Sequence, residues 1–184
     1  MFTGIITDVG RIRGVEKRGD TRFTIATAYD AEGIDIGASI ACAGCCLTVV
    51  EKGKDGEGDW FAVDVSQESL DCTTLGTWEE GTRINLERAL KAGDELGGHV
   101  VSGHVDGVGR IVDIRPEGDS LRFTFEAPEG LGRVIAPKGS VTLNGTSLTV
   151  NEVEDPKPGG NAGGTRFGAN IIPHTQAVPT WGTA

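Results

Sequence analysis

His99, His104 and a group of cysteines are the side chains of this 184-residue chain whose types could do chemistry. The two histidines are five residues apart, and in an extended strand this spacing places their rings on opposite faces, which disfavours a shared metal ion. His104 lies inside a segment that the chain repeats, whereas His99 does not. His104 is therefore the better candidate for proton transfer near neutral pH, with a purely structural histidine as the alternative.

Cys42, Cys45 and Cys46 form a C-x-x-C match followed directly by a third cysteine. Such a match can bind zinc or exchange a disulfide, but here it lies in a predicted strand-turn-strand segment and no second C-x-x-C follows. The alternative is buried packing, which is common for cysteine. Cys46 is of further interest because the repeat places Ser147 at the matched position, so both copies hold a small nucleophile or hydrogen-bonding group there.

A hydrolase triad of Ser147, His104 and Asp106 is a third alternative. It is disfavoured because the Gly-x-Ser-x-Gly turn that presents the serine in many such enzymes is missing. The glycines at Gly107 and Gly109 do not form a dinucleotide-binding loop either, since a predicted strand and not a helix follows them.

The chain contains one domain-sized segment twice. Residues 4–12 (GIITDVGRI) recur as residues 103–111 (GHVDGVGRI), and residues 44–49 (GCCLTV) recur as residues 145–150 (GTSLTV). A repeat near 100 residues is a whole domain, much longer than the roughly 20 to 50 residues of solenoid repeats. We therefore expect two domains, one at residues 1–97 and one at residues 98–184.

Short apolar runs punctuated by glycine and aspartate predict an all-β fold with short helical turns. Six short strands in about 90 residues suit a closed barrel, because closure removes exposed sheet edges. Ser66 and Pro173 are expected to begin the helical turns. Strands are predicted at residues 4–15, 22–28, 39–42, 45–51, 60–65 and 83–87, then at 105–114, 122–126, 140–143, 147–152 and 166–171, with loops at 53–59 and 155–165.

The two copies differ at their ends. Residues 75–77 (LGT) match residues 181–183 (WGT), after which the first copy continues through residues 83–87 and the second stops at Ala184. We expect the second barrel to lack the strand that closes the first.

The formal net charge of -10 and the pI near 4.7 disfavour nucleic acids as partners, because phosphate backbones are bound through a surplus of Lys and Arg. The first residues show no basic start followed by an apolar run, and no stretch reaches the roughly 20 apolar residues of a membrane span, so a cytoplasmic protein is expected. All four cysteines lie in the first copy, which predicts reduced thiols and a core without disulfides.

Three pairs of segments recur at matched places and combine strand ends with polar side chains. They are residues 4–6 with 103–105, 46–48 with 147–149, and 64–69 with 170–175. Such a set could hold a flat heteroaromatic ring by its main-chain groups and a polyhydroxyl tail by its polar side chains. The alternative is that the repeats keep these glycines and threonines for turns and barrel packing.

Together these motifs resemble the riboflavin synthase family, whose members contain tandem lumazine-binding repeats. The resemblance rests on residues 1–5 (MFTGI), 44–49 (GCCLTV), 97–105 (GGHVVSGHV) and 145–150 (GTSLTV), and it spans the chain from end to end. It implies two tandem Greek-key six-stranded β-barrels, each binding one lumazine.

The activity implied by the resemblance is a dismutation. Two molecules of 6,7-dimethyl-8-ribityllumazine exchange a four-carbon unit, which yields riboflavin and 5-amino-6-ribitylamino-pyrimidinedione. The resemblance implies no metal and no organic cofactor, a homotrimer with each site between two subunits, and an association with lumazine synthase. The C-terminal helix by which the family forms trimers is not in this sequence. The alternative is a non-catalytic lumazine- or flavin-binding protein of the antenna type.

The resemblance also implies the site residues. Phe2 would cover a ring, His104 would transfer a proton, Cys46 and Ser147 would act near C7 of the lumazine, and Ser39 would assist them. The residues expected to line the first pocket are Gly4, Ile5, Ile6, Cys46, Leu47, Thr48, Asp64, Val65, Ser66, Gln67, Glu68 and Ser69. Those expected to line the second are Gly103, His104, Val105, Lys138, Thr146, Ser147, Leu148, Asn170, Ile171, Ile172, Pro173, His174 and Thr175.

Overall fold

The first half of the chain is a closed antiparallel barrel. In the computed structural model, which describes residues 1–154, 164–177 and 180–183, its six strands are hydrogen-bonded in the order β1-β2-β5-β4-β3-β6. A short helix, α1 (Gln67–Cys72), follows β5 and begins at Ser66, whose side chain accepts a hydrogen bond from the Ser69 N–H as predicted. The strands are β1 (Asp8–Arg18), β2 (Asp20–Ala26), β3 (Ser39–Cys42), β4 (Cys45–Asp55), β5 (Gly58–Val65) and β6 (Arg83–Arg88).

Alternation of apolar and polar residues explains why these segments form a barrel. In β2, Phe23 and Ile25 are buried, whereas Arg22, Thr24 and Ala26, which alternate with them, are partly exposed. Phe61 enters the same core from β5, and Trp78 packs edge-on against Phe23 with the ring centroids 5.3 Å apart. The first half therefore has its own hydrophobic core and can hold polar groups at its ends.

The second half repeats the strand order in a more open form. The described residues give a four-stranded sheet, β11-β12-β8-β7, and a two-stranded sheet, β10-β9. In this part of the structure β7 and β9 are edge strands, whereas their counterparts β1 and β3 are both paired with β6. The elements are β7 (Arg110–Glu117), β8 (Ser120–Glu126), β9 (Ser140–Leu143), β10 (Thr146–Thr149), β11 (Glu152–Glu154), β12 (Arg166–Ile171) and α2 (Pro173–Ala177).

Two predicted strands of the second half were wrong in their bounds. The strand expected at 105–114 runs instead from Arg110 to Glu117, and its counterpart β1, expected at 4–15, is likewise displaced to Asp8–Arg18. The strand expected at 147–152 is divided into β10 and β11 near Asn151, whose N–H donates to the Gly168 carbonyl. The first copy has a bulge at the matched place, between Val49 and Glu51 of β4. The loop predicted at 53–59 is too long, because β4 continues to Asp55 and β5 starts at Gly58. Most of the loop predicted at 155–165 lies outside the described residues.

An aromatic cluster forms the core of the second half. The rings of Phe123 and Phe125 pack against Trp181 with centroids 5.6 and 6.0 Å apart, and Phe167 stacks on Phe125 at 5.4 Å. No helix among the described residues is long and apolar enough to cross a membrane.

The two halves are joined by hydrogen bonds between matched positions. Phe2 and Val101, which the repeat superimposes, form an antiparallel bridge with N–H to carbonyl distances of 2.8 and 2.9 Å. On either side of it, the Cys46 N–H donates to the Gly103 carbonyl and the Ser147 N–H donates to the matched Gly4 carbonyl, both at 2.8 Å. The halves are thus related by an approximate two-fold axis through this bridge. Each sends a short arm to the other, residues 4–6 from the first half and residues 103–105 from the second.

The glycines of these arms are required by their surroundings. Gly4 and Gly103 have φ values of +77° and +80°, a region that other residues adopt only with strain. A Cβ atom on Gly4 would lie 2.6 Å from the Cβ of Ser147, and one on Gly103 would lie 2.7 Å from the Cβ of Cys46. Any side chain there would push the two halves apart.

We predict that Gly103→Ala destabilises the protein more than Gly19→Ala does. Gly19 also has a positive φ, +96°, but a Cβ there meets nothing within 4 Å, so it bears only the backbone strain of about 1–2 kcal/mol. Gly103→Ala adds overpacking against Cys46, which costs about 1–3 kcal/mol more. Urea unfolding of both variants measures the difference, and equal free energies of unfolding would contradict the steric account.

Candidate active site

The polar residues expected to bind a ligand gather at one end of each half. In the first half, β4 begins beside the end of β5, because the two strands are antiparallel neighbours. The crossed hydrogen bonds add residues 103–105 to this end, next to Cys46, and add residues 4–6 to the matched end of the second half, next to Ser147. We call these two places the first site and the second site.

This arrangement differs from the predicted one, which assigned residues 4–6 to the first pocket and residues 103–105 to the second. The order of segments along the chain suggested that each copy would build its own pocket. The structure exchanges the two arms, because each arm pairs with the strand of the opposite half. Each site therefore needs both copies.

In the first site, side chains on alternate positions face outward. Cys46 is half-buried and Thr48 is exposed, and Ser39 lies directly opposite Thr48 on β3. Asp64 is exposed near the end of β5 and forms a two-point ion pair with Arg22, with N–O distances of 2.7 and 2.9 Å. These hydrogen bonds lower the pKa of Asp64, so it stays an anionic acceptor at neutral pH.

The start of α1 supplies further polar groups to the first site. Ser66 and Ser69 are 3.1 Å apart, oxygen to oxygen, and the Gln67 amide donates to the Asp71 carboxylate. Glu68 is exposed in the first turn. Hydroxyl, amide and carboxylate groups of this kind can hydrogen-bond a polyhydroxyl chain.

The second site is organised by His99. Its Nδ1 is hydrogen-bonded to the Ser147 hydroxyl at 2.7 Å, and its Nε2 to the Thr142 hydroxyl at 3.0 Å. Ser147 and Thr142 face each other on β10 and β9, so the imidazole bridges two strands. Burial lowers the pKa of His99, because the charged ring loses hydration, and the ring is therefore neutral at pH 7.

Sequence reasoning missed His99, because the comparison of the copies favoured histidines inside the repeated segment. At the repeat offset of 99 residues, the counterpart of His99 falls outside the sequence, so the comparison could not test it. A usable signal was present nonetheless, because His99 lies within residues 97–105, one of the segments that carry the family resemblance.

His104 and Phe2 lie in different surroundings from each other. His104 is exposed and follows Gly103, whose carbonyl pairs with Cys46, and its main-chain N–H donates to the Ser102 hydroxyl at 3.2 Å. Phe2 is 0% exposed and packs against Ala41 and Val101 at the join of the two halves. The expectation that Phe2 covers a ligand ring does not match this position, because its ring has no open face.

Several residues expected to line the pockets have buried side chains, so only their main-chain groups can face a ligand. Alternation along each strand turns every second side chain into the barrel, so these positions pack in the core while their neighbours face the site. Thr146 accepts a hydrogen bond from the Trp181 indole at 3.0 Å. The buried residues of the predicted set are Leu47, Val65, Thr146, Leu148 and Ile171.

The remaining residues predicted for the second pocket are exposed or partly exposed. Lys138 is exposed, adopts a positive φ of +66° and donates its N–H to the Val150 carbonyl. The Asn170 amide donates to Glu117 at 3.0 Å, and Ile172 is exposed. Pro173, His174 and Thr175 form the first turn of α2, as predicted from Pro173.

Two clefts open beside these groups. One, of about 660 Å³, is lined by His99, His104 and Thr142 and extends into the core of the open second half, to Phe125, Phe167 and Trp181. Cys46 and Ser147 are not among its lining residues. The other, of about 510 Å³, lies between residues 3–7 and residues 87–97. Both volumes fall within the range of small-molecule sites.

A family model described as the lumazine-binding domain matches residues 3–89 and again residues 102–184. The chain belongs to the lumazine-binding domain family. It is 52% identical, over 99% of its length and 87% of the relative, to the riboflavin synthase of Brucella abortus (strain 2308). It is 39% identical, over 95% of its length and 76% of the relative, to the riboflavin synthase of Actinobacillus pleuropneumoniae.

Solved structures are similar over the whole chain. A crystal structure of LumP complexed with riboflavin matches with a TM-score of 0.82 at 26% identity, covering 100% of this chain and 94% of that one. A crystal structure of LumP complexed with 6,7-dimethyl-8-(1'-D-ribityl) lumazine matches with a TM-score of 0.80 at 25% identity, covering 100% and 93%.

The two lumazine-binding repeats differ in the chemistry of their matched positions. In the first site the Cys46 main chain is hydrogen-bonded to Gly103, the residue before His104, and in the second the Ser147 hydroxyl is bonded to His99. Burial raises the pKa of Cys42 and Cys45, so these thiols stay protonated and are poor nucleophiles. Within the described ranges, no group of three or more His, Cys, Asp or Glu side chains is placed to hold a metal ion.

We predict that acid weakens the fold through His99. Its pKa is below 6.5 in the folded protein and near 6.5 after unfolding, so the unfolded chain binds more protons between the two values. The free energy of unfolding therefore falls as the pH drops from 6.5 toward the lower folded value, and is unaffected by this group above 6.5. Urea unfolding from pH 8 to pH 5 measures the slope, which His99→Gln should reduce; an unchanged slope would contradict the assignment.

Proposed function

We propose that this chain catalyses the riboflavin synthase reaction. Two molecules of 6,7-dimethyl-8-ribityllumazine give one riboflavin and one 5-amino-6-ribitylamino-pyrimidinedione. The observation that carries this conclusion is the 52% identity to a riboflavin synthase over 99% of the chain, which includes both lumazine-binding repeats. Two like sites suit a reaction whose two substrates are the same molecule.

The chemistry needs a base and close alignment of two rings. One lumazine gives up four carbons and the other receives them, so atoms and electrons balance between the two molecules. The methyl group on C7 is acidic because its carbanion is conjugated into the ring, and a modest base can remove its proton. Holding both heterocycles together replaces a bimolecular encounter with a prearranged one.

We assign the polar residues of each site to these tasks. His104 transfers a proton beside Cys46 in the first site, with Ser39 nearby on β3. In the second site Ser147 faces the substrate, and the neutral His99 imidazole accepts or relays its proton.

Asp64, Gln67 and the hydroxyls at the start of α1 hydrogen-bond the ribityl tail of one lumazine, and Asn170 with the start of α2 does so for the other. The exchanged arms, residues 4–6 and 103–105, contact the ring edges.

The alternative function is a lumazine- or flavin-binding protein without catalysis. The similarity to structures of LumP complexed with riboflavin or a lumazine, at 26% and 25% identity, is compatible with binding alone. The much higher identity to riboflavin synthases favours the enzyme.

We further propose a cytoplasmic homotrimer in which a first site of one subunit faces a second site of another, and an association with lumazine synthase. The support is the family resemblance, together with exposed apolar side chains at Ile5, Leu96 and Val100. The repeat boundary is proposed to lie between residues 97 and 98. Sedimentation of the protein alone and with lumazine synthase tests both assemblies.

We predict that the purified chain converts the lumazine to riboflavin. Mixing it with 6,7-dimethyl-8-ribityllumazine should give riboflavin absorbance without added metal, cofactor or oxidant, with two lumazines consumed for each riboflavin formed. Binding without product formation would favour the alternative function, and a different ratio would contradict the dismutation.

We predict that His104→Ala and Cys46→Ser both slow turnover. Loss of a positioned acid or base typically costs about 10²–10⁴-fold in rate, so His104→Ala should lower kcat by at least about 10²-fold. Cys72→Ser is the matched control for Cys46→Ser, because Cys72 is exposed at the far end of α1. If both site variants kept the activity of the control, these roles would be withdrawn.

A further inference from the structure

The carboxylate of Glu87 is buried at the join of the two repeats. Glu87 lies on β6 of the first barrel and is 5% exposed. Its Oε1 accepts hydrogen bonds from the Thr3 N–H and the Thr3 hydroxyl, both at 2.7 Å, and its Oε2 accepts from the Gly4 N–H at 2.9 Å. A buried carboxylate is costly unless such bonds replace its hydration, so Glu87 holds Thr3 and Gly4 firmly in place.

Thr3 and Gly4 in turn hold His99 and Ser147, whose side chains are hydrogen-bonded in the second site. The Gly4 carbonyl accepts from the Ser147 N–H at 2.8 Å, and the Thr3 carbonyl accepts from the His99 N–H at 3.0 Å. The main chains of His99 and Ser147 are therefore attached to adjacent peptide groups. Their side chains meet at 2.7 Å.

Thr3 and Gly4 are tightly packed against the residues that they contact in the second half. A Cβ on Gly98, the residue before His99, would lie 2.0 Å from the Thr3 carbonyl oxygen, and a Cβ on Gly4 would lie 2.6 Å from that of Ser147. A shift of the arm by a few tenths of an ångström would therefore move both His99 and Ser147.

We propose that Glu87 is a positioning residue for the second site, although it belongs to the first barrel. It acts through Thr3 and Gly4, which set the main-chain positions of His99 and Ser147 and so the geometry of their hydrogen bond. The effect on turnover rests on the proposed function, but the geometric effect does not.

The test is Glu87→Gln, compared with Glu57→Gln as a matched control. Glutamine keeps the shape of Glu87 but turns one acceptor oxygen into an NH2 group, so at least one of the three donors loses its partner. Glu57 is an exposed glutamate that pairs with Arg13 on the surface. We expect Glu87→Gln to lower kcat by about 10²-fold, as misplacement of reacting groups does, and the control to leave kcat unchanged.

Two readouts separate positioning from a merely structural role. The ¹⁵N NMR signals of the His99 ring report the bond to Ser147 without any substrate, and they should shift in Glu87→Gln but not in Glu57→Gln. In a Ser147→Ala background the hydrogen bond between His99 and Ser147 is already absent. Adding Glu87→Gln to that variant should therefore lower kcat by less than about a further threefold. Unchanged His99 signals, or additive losses of kcat, would overturn the proposal.

Folding and function are checked separately. If circular dichroism shows that Glu87→Gln does not fold, Thr3→Val replaces it, since this change removes one donor to Glu87 and the acceptor of the Ile5 N–H. Thr3→Val should shift the ¹⁵N signals of the His99 ring in the same direction as Glu87→Gln, but by a smaller amount. Unchanged His99 signals in Thr3→Val would overturn the proposal. If the unmodified protein made no riboflavin, the proposed function would fail, while the His99 signals would still decide whether Glu87 positions the pair.

Discussion

Two backbone hydrogen bonds, from Cys46 to Gly103 and from Ser147 to Gly4, are the interactions on which the rest of this molecule depends. Each joins a strand of one repeat to the arm of the other at 2.8 Å, and the bridge between Phe2 and Val101 lies between them. Without them each barrel could keep its core but would lose one wall of its site. The pairing is by backbone groups, so the same geometry is formed twice although the side chains differ.

The shared scaffold lets the two sites differ where chemistry requires it. Both have a small polar residue at the start of the fourth strand of the repeat. One is a thiol whose backbone pairs with the residue before an exposed histidine, and the other is a hydroxyl bonded to a partly buried histidine. Burial keeps the ring of His99 neutral, whereas the first site holds the anionic Asp64 against Arg22. A reaction between two identical molecules in unlike roles needs this combination of equal shape and unequal polarity.

Much of the fold could be predicted from the repeated apolar pattern, and the parts that could not were decided by contacts between the repeats. The six strands of the first barrel and the cap at Ser66 follow from local sequence. The start of β7 at Arg110 was not predicted, and neither was the pairing of Val101 and Gly103 with the other repeat. Strand alternation along β4 places the Leu47 side chain in the core, whereas the family motif at residues 44–49 led us to expect Leu47 in the pocket. The exchange of the arms could not be predicted from either copy alone.

The burial of Glu87 shows how such a join can be stable and also precise in geometry. The arm must turn at Gly4, and the turn leaves adjacent N–H groups of Thr3 and Gly4 pointing the same way, where strand pairing does not satisfy them. Only a group with two acceptor oxygens can receive both together with the Thr3 hydroxyl, and a carboxylate does so with the stronger bonds that charge provides. The desolvation of that charge opposes folding, but the alternative, unpaired donors in a buried join, opposes it as well. An acidic residue at this place is therefore explained by the backbone geometry that the second site requires, and not by the core of the barrel from which it extends.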